Sequence, residues 1–278
     1  MSTFTLEPHR QVLLARVLPA YAALGVLAWA HVQGSLVLGY TNESDLDVIL
    51  VWDAPEVPTG REPLVARLDQ RQRDFPEAID YHDIHIDRFV IGGQEYELAH
   101  YTLTRFEQIM ASVRTGGDLP SREIVNPQAL AAAFREAVFV LDPQRVGQRL
   151  QEALRPFPAH LKASTRRAAT NNRERRMNEL RTYACRGDWF PFHSALAGAT
   201  RIVLQAIFAK REVYWTGDKW RRAAMLRYGF EPHLVDAYDR LWSLDSPPER
   251  RLAALDELTD AAVAEPPDSP TGQREPSR

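Results

Sequence analysis

The pattern of apolar and polar positions divides the chain into two stretches of different character. From Arg10 to about Ala23 apolar residues recur at helical spacing, and Pro19 is expected to bend or split that helix. Val26 to Val32 reads as a buried strand, Leu36 to Gly39 as a single helical turn, and Asp45 to Trp52 as a second strand built on the run VILVW. Asp53 to Gly60, with Pro55 and Pro58 inside it, reads as loop, and Arg61 to Arg73 as helix. Ala78 to Asp87 is the third predicted strand. Arg88 to Ile91 and Gln94 to Tyr101 form a predicted hairpin, because Gly92-Gly93 suits a two-residue turn with positive φ.

After Thr102 the pattern turns helical. Thr102 or Thr104 can cap a helix to about Val113, and Arg114 to Glu123 is a glycine-containing loop. Asn126-Pro127 is a helix start, a capping side chain followed by proline, for a helix expected to reach about Leu141. Further helices are predicted over 144–155, 158–186, 189–210, 218–228, 232–243 and 247–263. The fold class is therefore an α/β (α+β) module followed by an all-helical second domain. The expected domains are 1–114, 115–264 and a Pro-rich polar tail, 265–278, that cannot bury enough surface to order itself. The boundary is soft between 114 and 126.

Composition narrows the picture only a little. With 278 residues and 45% hydrophobic content the chain can build a full core. A net charge of −3 supplies no global basic field, which argues against nucleic acid or anionic membrane as a partner. The single cysteine, Cys185, excludes an internal disulfide framework and suits a reducing, cytoplasmic setting. The N-terminus lacks a basic start followed by an apolar run, so no secretory signal is expected. The apolar stretch Val12 to Val32 contains Arg16, Pro19 and His31, and a core helix followed by a core strand explains it better than a membrane span.

The chemistry gathers between residues 34 and 47, GSLVLGYTNESDLD. In an extended chain Asp45 and Asp47 share a face, close enough to grip one metal ion. Gly34 lets backbone approach a phosphate, and Ser35 adds a hydroxyl donor. Together these describe a site for a nucleoside triphosphate and magnesium. Nucleotidyl transfer needs metal ions to neutralise the triphosphate and a hydroxyl placed in line with the departing pyrophosphate. A third carboxylate from a neighbouring strand would complete a second ion's site or accept the hydroxyl proton. The third strand offers Asp80, Asp83 and Asp87. Parity puts Asp80 on the open face with Asp45 and Asp47, whereas Asp83 reaches that face only if the strand bulges. His82 shares the face of Asp80.

The segment VQGSLVLGYTNESDLDVILV resembles the signature of the DNA polymerase beta-like nucleotidyltransferase superfamily: Gly-Ser, about ten residues, then Asp-x-Asp among apolar residues. More loosely, EYELAHYTLTRFEQI, RGDWFPFHSALAGATRIVLQAIFAKREVY and TGDKW resemble the helical half of bacterial antibiotic nucleotidyltransferases, those that modify aminoglycosides or lincosamides. The resemblance implies a small mixed sheet and a helical domain walling the cleft. It implies that Gly34 and Ser35 hold the terminal phosphates and that Asp45 and Asp47 bind Mg2+. Asp80 would be the third ligand or base. It implies ATP as the usual co-substrate and a nucleoside monophosphate transferred to a hydroxyl. Lys219, in TGDKW, is the candidate phosphate contact from the helical half, with Lys162 a weaker choice.

Other features read as structural. The arginines between Arg166 and Arg186 wrap around their helix and are expected to form local ion pairs, with a site for a triphosphate or an RNA partner as the alternative. Glu95 and Glu97 are expected to keep an edge strand soluble, with reception of a cationic substrate as the alternative. Trp189, Phe190, Phe192, His193, Trp215 and Trp220 are expected to pack between helices, with stacking on an adenine as the alternative. The expected activity is transfer of a nucleoside monophosphate to a small-molecule hydroxyl. Transfer to protein or RNA, or nucleotide binding without turnover, stand as alternatives. Whether the cleft closes within one chain or in a homodimer is left open.

Overall fold

The computed structural model describes residues 6–41, 44–71, 77–81, 84–116 and 126–264. The chain forms two compact units: the first runs to Pro158 and takes in Lys219–Arg221, and the second begins at Ala159 and resumes at Arg222.

The first unit opens with α1 (Glu7–Val12), a π-helical turn over Leu13–Val17, and α2 (Leu18–Ala22). Pro19 stands at the start of α2. Its missing N–H accounts for the widened turn just before it, where a regular helix was expected to bend. Then come β1 (Leu27–Gln33), β2 (Leu46–Trp52), α3 (Arg61–Leu68), β3 (Glu77–Tyr81), β4 (Ile84–Ile91) and β5 (Gln94–Thr102). They are followed by α4 (Leu103–Thr115), α5 (Pro127–Arg135), β6 (Val138–Leu141) and α6 (Val146–Ala153). The strands form one six-stranded sheet in the order β3-β4-β5-β2-β1-β6. β2 runs parallel to β5, and every other neighbouring pair is antiparallel, so the sheet is mixed.

β2 is buried along almost its whole length, as expected of a strand covered on both faces. Val48, Leu50 and Trp52 pack with Leu13, Val17 and Tyr21 from the N-terminal helical segment and with Leu64, Val65 and Leu68 from α3. Val51 and Ile49, on the face that Asp47 shares by alternation, are buried as well, and α4 packs across β2 and β5. On that side Trp29 and His31 meet Phe106 of α4 and Phe134 of α5. The face carrying the aspartates, expected to be open, is therefore covered by α4 along its length, and its acidic end lies where β2 begins. The caps form as expected. Thr102 accepts from the Arg105 amide at 3.2 Å, and Asn126 Oδ1 accepts from the Gln128 amide at 2.9 Å. Gly92 and Gly93 take positive φ in the β4–β5 turn.

Two predicted elements change. The single strand over 78–87 is two, β3 and β4, paired antiparallel with Tyr81 opposite Ile84. The helix expected to reach Leu141 stops at Arg135, and Val138–Leu141 becomes β6, pairing with β1 through Val32↔Val138. A four-residue apolar run takes its conformation from such a partner rather than from its own period. The expected junction near 114–126 thus falls inside the first compact unit, which gains α5, β6 and α6. The expected tail, from Glu265 onward, lies outside the described residues.

The second unit contains α7 (Ala159–Arg186), α8 (Trp189–Lys210), α9 (Arg221–Arg227), α10 (Pro232–Trp242) and α11 (Pro248–Val263), the first residue of α9 belonging to the first unit. On α7, Arg173 bridges Asp256 and Asp260 of α11, and Arg176 pairs with Glu179 at 2.8 Å. By length and composition α8 is apolar enough to cross a membrane, but Phe192, Leu196, Leu204 and Phe208 are buried inside the unit.

Candidate active site

The register of the sheet builds the site. Asp47 on β2 lies opposite Gln33 on β1 and opposite Glu97 on β5. Asp45 stands two residues earlier and projects to the same side by alternation. One carboxylate oxygen from each of Asp45, Asp47 and Glu97 falls within 4.8 Å of the others, and all three residues are half-buried. Ser44 Oγ donates to Asp45 Oδ1 at 2.6 Å, and Arg88 Nε donates to Glu97 Oε2 at 2.7 Å, so the outer carboxylates are held in place.

Crowding leaves a clear electrostatic mark. Burial, then the charges of Asp45 and Glu97, push Asp47 up to about 7, and the positive charge of Lys219 pulls it partly back. A group so placed gains from any cation that enters. Hard carboxylate oxygens of this kind, three in one small volume, suit a hard divalent cation such as magnesium.

Gly34 explains how the carboxylate is seated. Its φ is +90, and a Cβ there would lie 2.7 Å from Asp47 Cγ and 3.0 Å from Asp47 Cβ. Only glycine permits both that backbone and that approach. The chain then turns tightly: the Leu38 amide donates to Gly34 O at 3.1 Å and the Tyr40 amide to Ser35 O at 2.9 Å. Ser35 is buried in this turn. Lys219 belongs to the same compact unit, while Lys162 is paired with Glu212 at 2.5 Å in the second unit.

The structure does not bring Asp80 to this cluster. Asp80 lies opposite His85, which lies opposite His100, which lies opposite Leu50, a row three residues beyond that of Asp47. It is also three strands from β2, or roughly 14 Å at ordinary strand spacing. His82 and Asp83 lie outside the described residues. Asp87 is fully buried, accepting from Tyr21 Oη at 2.6 Å and Arg61 Nη1 at 2.7 Å, with His100 Nε2 at 2.9 Å, a structural network in the core.

Glu97 is the residue that sequence reasoning missed. The expectation of an edge strand fails because β5 lies inside the sheet, between β4 and β2. Its partner in that expectation, Glu95, is taken by Arg71 at 2.9 Å. The available signal was alternation: Glu95 and Glu97 interrupt one face of an otherwise apolar strand. Among the aromatics, Phe192 and Trp215 are buried as expected, while Trp189, Phe190 and Trp220 are exposed.

No family model matches the chain. No curated protein matches it either. Among solved structures it is similar to the crystal structure of a nucleotidyltransferase-like protein from Exiguobacterium sibiricum, with 12% identity and a TM-score of 0.44 over 92% of this chain and 77% of that one. A likeness that loose says nothing of activity.

Proposed function

We propose that the chain is a magnesium-dependent nucleotidyltransferase that moves a nucleoside monophosphate, AMP in our reading, from a nucleoside triphosphate to a hydroxyl of a small molecule. The observation that carries the reading is the convergence of Asp45, Asp47 and Glu97 within 4.8 Å. The glycine pressed against Asp47 supports it. Asp45, Asp47 and Glu97 would hold Mg2+, with Glu97 in the place first expected of Asp80. Bound there, the ion would neutralise phosphate oxygens and the pyrophosphate as it leaves.

The remaining roles belong to the chain. The turn from Gly34 to Tyr40, Ser35 included, receives the terminal phosphates, and Lys219 adds a positive charge beside them. Asp47, pushed up to about 7 by burial and its acidic neighbours, ionises more fully when a cation offsets them, so the ion and the substrate charge meet a prepared site. The acceptor oxygen bonds to the α-phosphorus, the bond from that phosphorus to pyrophosphate breaks, and the hydroxyl proton passes to a carboxylate of the cluster. An aminoglycoside-like antibiotic is the acceptor class we favour.

Incubation with α-labelled ATP, MgCl2 and a panel of aminoglycosides and lincosamides should yield a labelled small product whose mass gain identifies the nucleotide. The Asp47→Asn variant should fold and make none. Label found on protein or RNA would replace the acceptor class. Nucleotide binding without pyrophosphate release for any acceptor would leave a binding module and end the enzyme reading.

A further inference from the structure

Trp220 combines features that packing does not explain. Its backbone is left-handed, with φ +59. A bulky side chain rarely adopts that conformation, and strain of this kind persists where the surroundings impose it. Yet the indole is 44% exposed, so it is not strained in order to fill a core. The segment around it is pinned: Arg221 is buried, and Asp218 is paired with Arg201. Held this way, the indole lies 6.3 Å from the Tyr40 ring at 31°, in a tilted arrangement that leaves indole surface open.

Tyr40 in turn closes the Gly34 turn, its backbone N–H donating a hydrogen bond to Ser35 O. Trp220 also directly follows Lys219, the cation whose charge acts on Asp47. A flat, exposed, fixed aromatic surface thus stands beside the turn and the lysine assigned to the triphosphate. Stacking on such a surface recognises any purine or pyrimidine through its π face.

We propose that Trp220, backed by Tyr40, is the platform on which the base of the bound nucleotide stacks. The proposal rests on the nucleotidyltransferase reading and adds the recognition element for the base. The step is binding alone, with no bond made or broken.

The test compares ATP with inorganic tripolyphosphate, each titrated calorimetrically with MgCl2 into the full-length protein. Trp220→Gly removes the ring and keeps the left-handed backbone without strain, and Trp220→Phe keeps a ring. Trp220→Gly should weaken ATP about tenfold or more, leave tripolyphosphate unchanged, and Trp220→Phe should restore most of the loss. As a measurement that needs no variant, ethenoadenosine triphosphate should be quenched on binding the wild-type protein. Equal losses for both ligands, unchanged ATP affinity in Trp220→Gly, or no quenching on binding would overturn the proposal while sparing the nucleotidyltransferase reading. A wild-type protein that binds neither ligand would remove both.

Discussion

Replacing Gly34 by alanine tests how the Asp47 carboxylate, proposed to hold the metal ion, is seated. The added Cβ would stand 2.7 Å from Asp47 Cγ, where carbon atoms ordinarily rest about 3.5–4.0 Å apart, so the carboxylate must withdraw by about 1 Å. The backbone adds its own cost, since a left-handed L-residue is strained by on the order of 1–2 kcal/mol. That strain alone lowers Tm by roughly 2–8 °C for a unit of this size. A carboxylate displaced by 1 Å should weaken divalent-ion binding about 10- to 100-fold, as loss of a supporting contact does in other metal sites, and slow any turnover on the order of 100-fold. Gly39→Ala is the matched control. Gly39 also has positive φ, +68, but nothing lies within 4 Å of its Cβ position. It should show the thermal shift without the loss of affinity. Mn2+ binding followed by electron paramagnetic resonance, with a thermal melt, reads both effects without knowledge of the acceptor. If Gly34→Ala binds Mn2+ like wild type while its fold stays intact, the close seating of Asp47 has no part in holding the ion.

Three further outcomes are expected. Glu97→Gln should lower Mn2+ affinity at least about tenfold, whereas Asp80→Asn should leave it unchanged; the reverse ranking returns the third carboxylate to β3. For pH, Asp47 is raised from 3.8 to about 7, so the folded protein holds a proton that the unfolded chain has already lost. Without metal its contribution therefore erodes as pH climbs from about 4 toward 7, and Mg2+ must displace that proton to bind. The Tm gain from MgCl2 should grow between about pH 6 and pH 8, and a flat profile contradicts the crowding of the three carboxylates. Asp87→Ala removes the buried carboxylate that pairs with Arg61 and should cost about 3–5 kcal/mol in urea unfolding, while a cost near zero would show that the Tyr21–Asp87–Arg61 network carries no stability.

Local signals in the sequence led to local structure. Asp45 and Asp47 at the head of an apolar strand, the Gly92-Gly93 turn and the Asn126-Pro127 helix start all lie where expected, because each depends on residues adjacent in the chain. The failures share a cause in long-range pairing. Val138–Leu141 is a strand only because β1 offers it an edge. Asp80 was favoured on parity, which assigns a face but not a neighbour. Position in the sheet depended on β5 running parallel beside β2, a join across distant chain segments that no spacing encodes. Gly34 was read as a phosphate contact, and its proximity to Asp47 becomes visible only when β1 and β2 are aligned.

The parallel join between β2 and β5 also governs when the three carboxylates can come together. Glu97 follows Asp47 by 50 residues, and the β4–β5 hairpin can assemble by itself long before the two are neighbours. Distant pairings close late because loop entropy opposes them. A chain emerging from the ribosome therefore passes through synthesis of both aspartates with no complete ion pocket. A divalent cation bound at this cluster would reward only the finished sheet and pull the last, slowest closure toward completion.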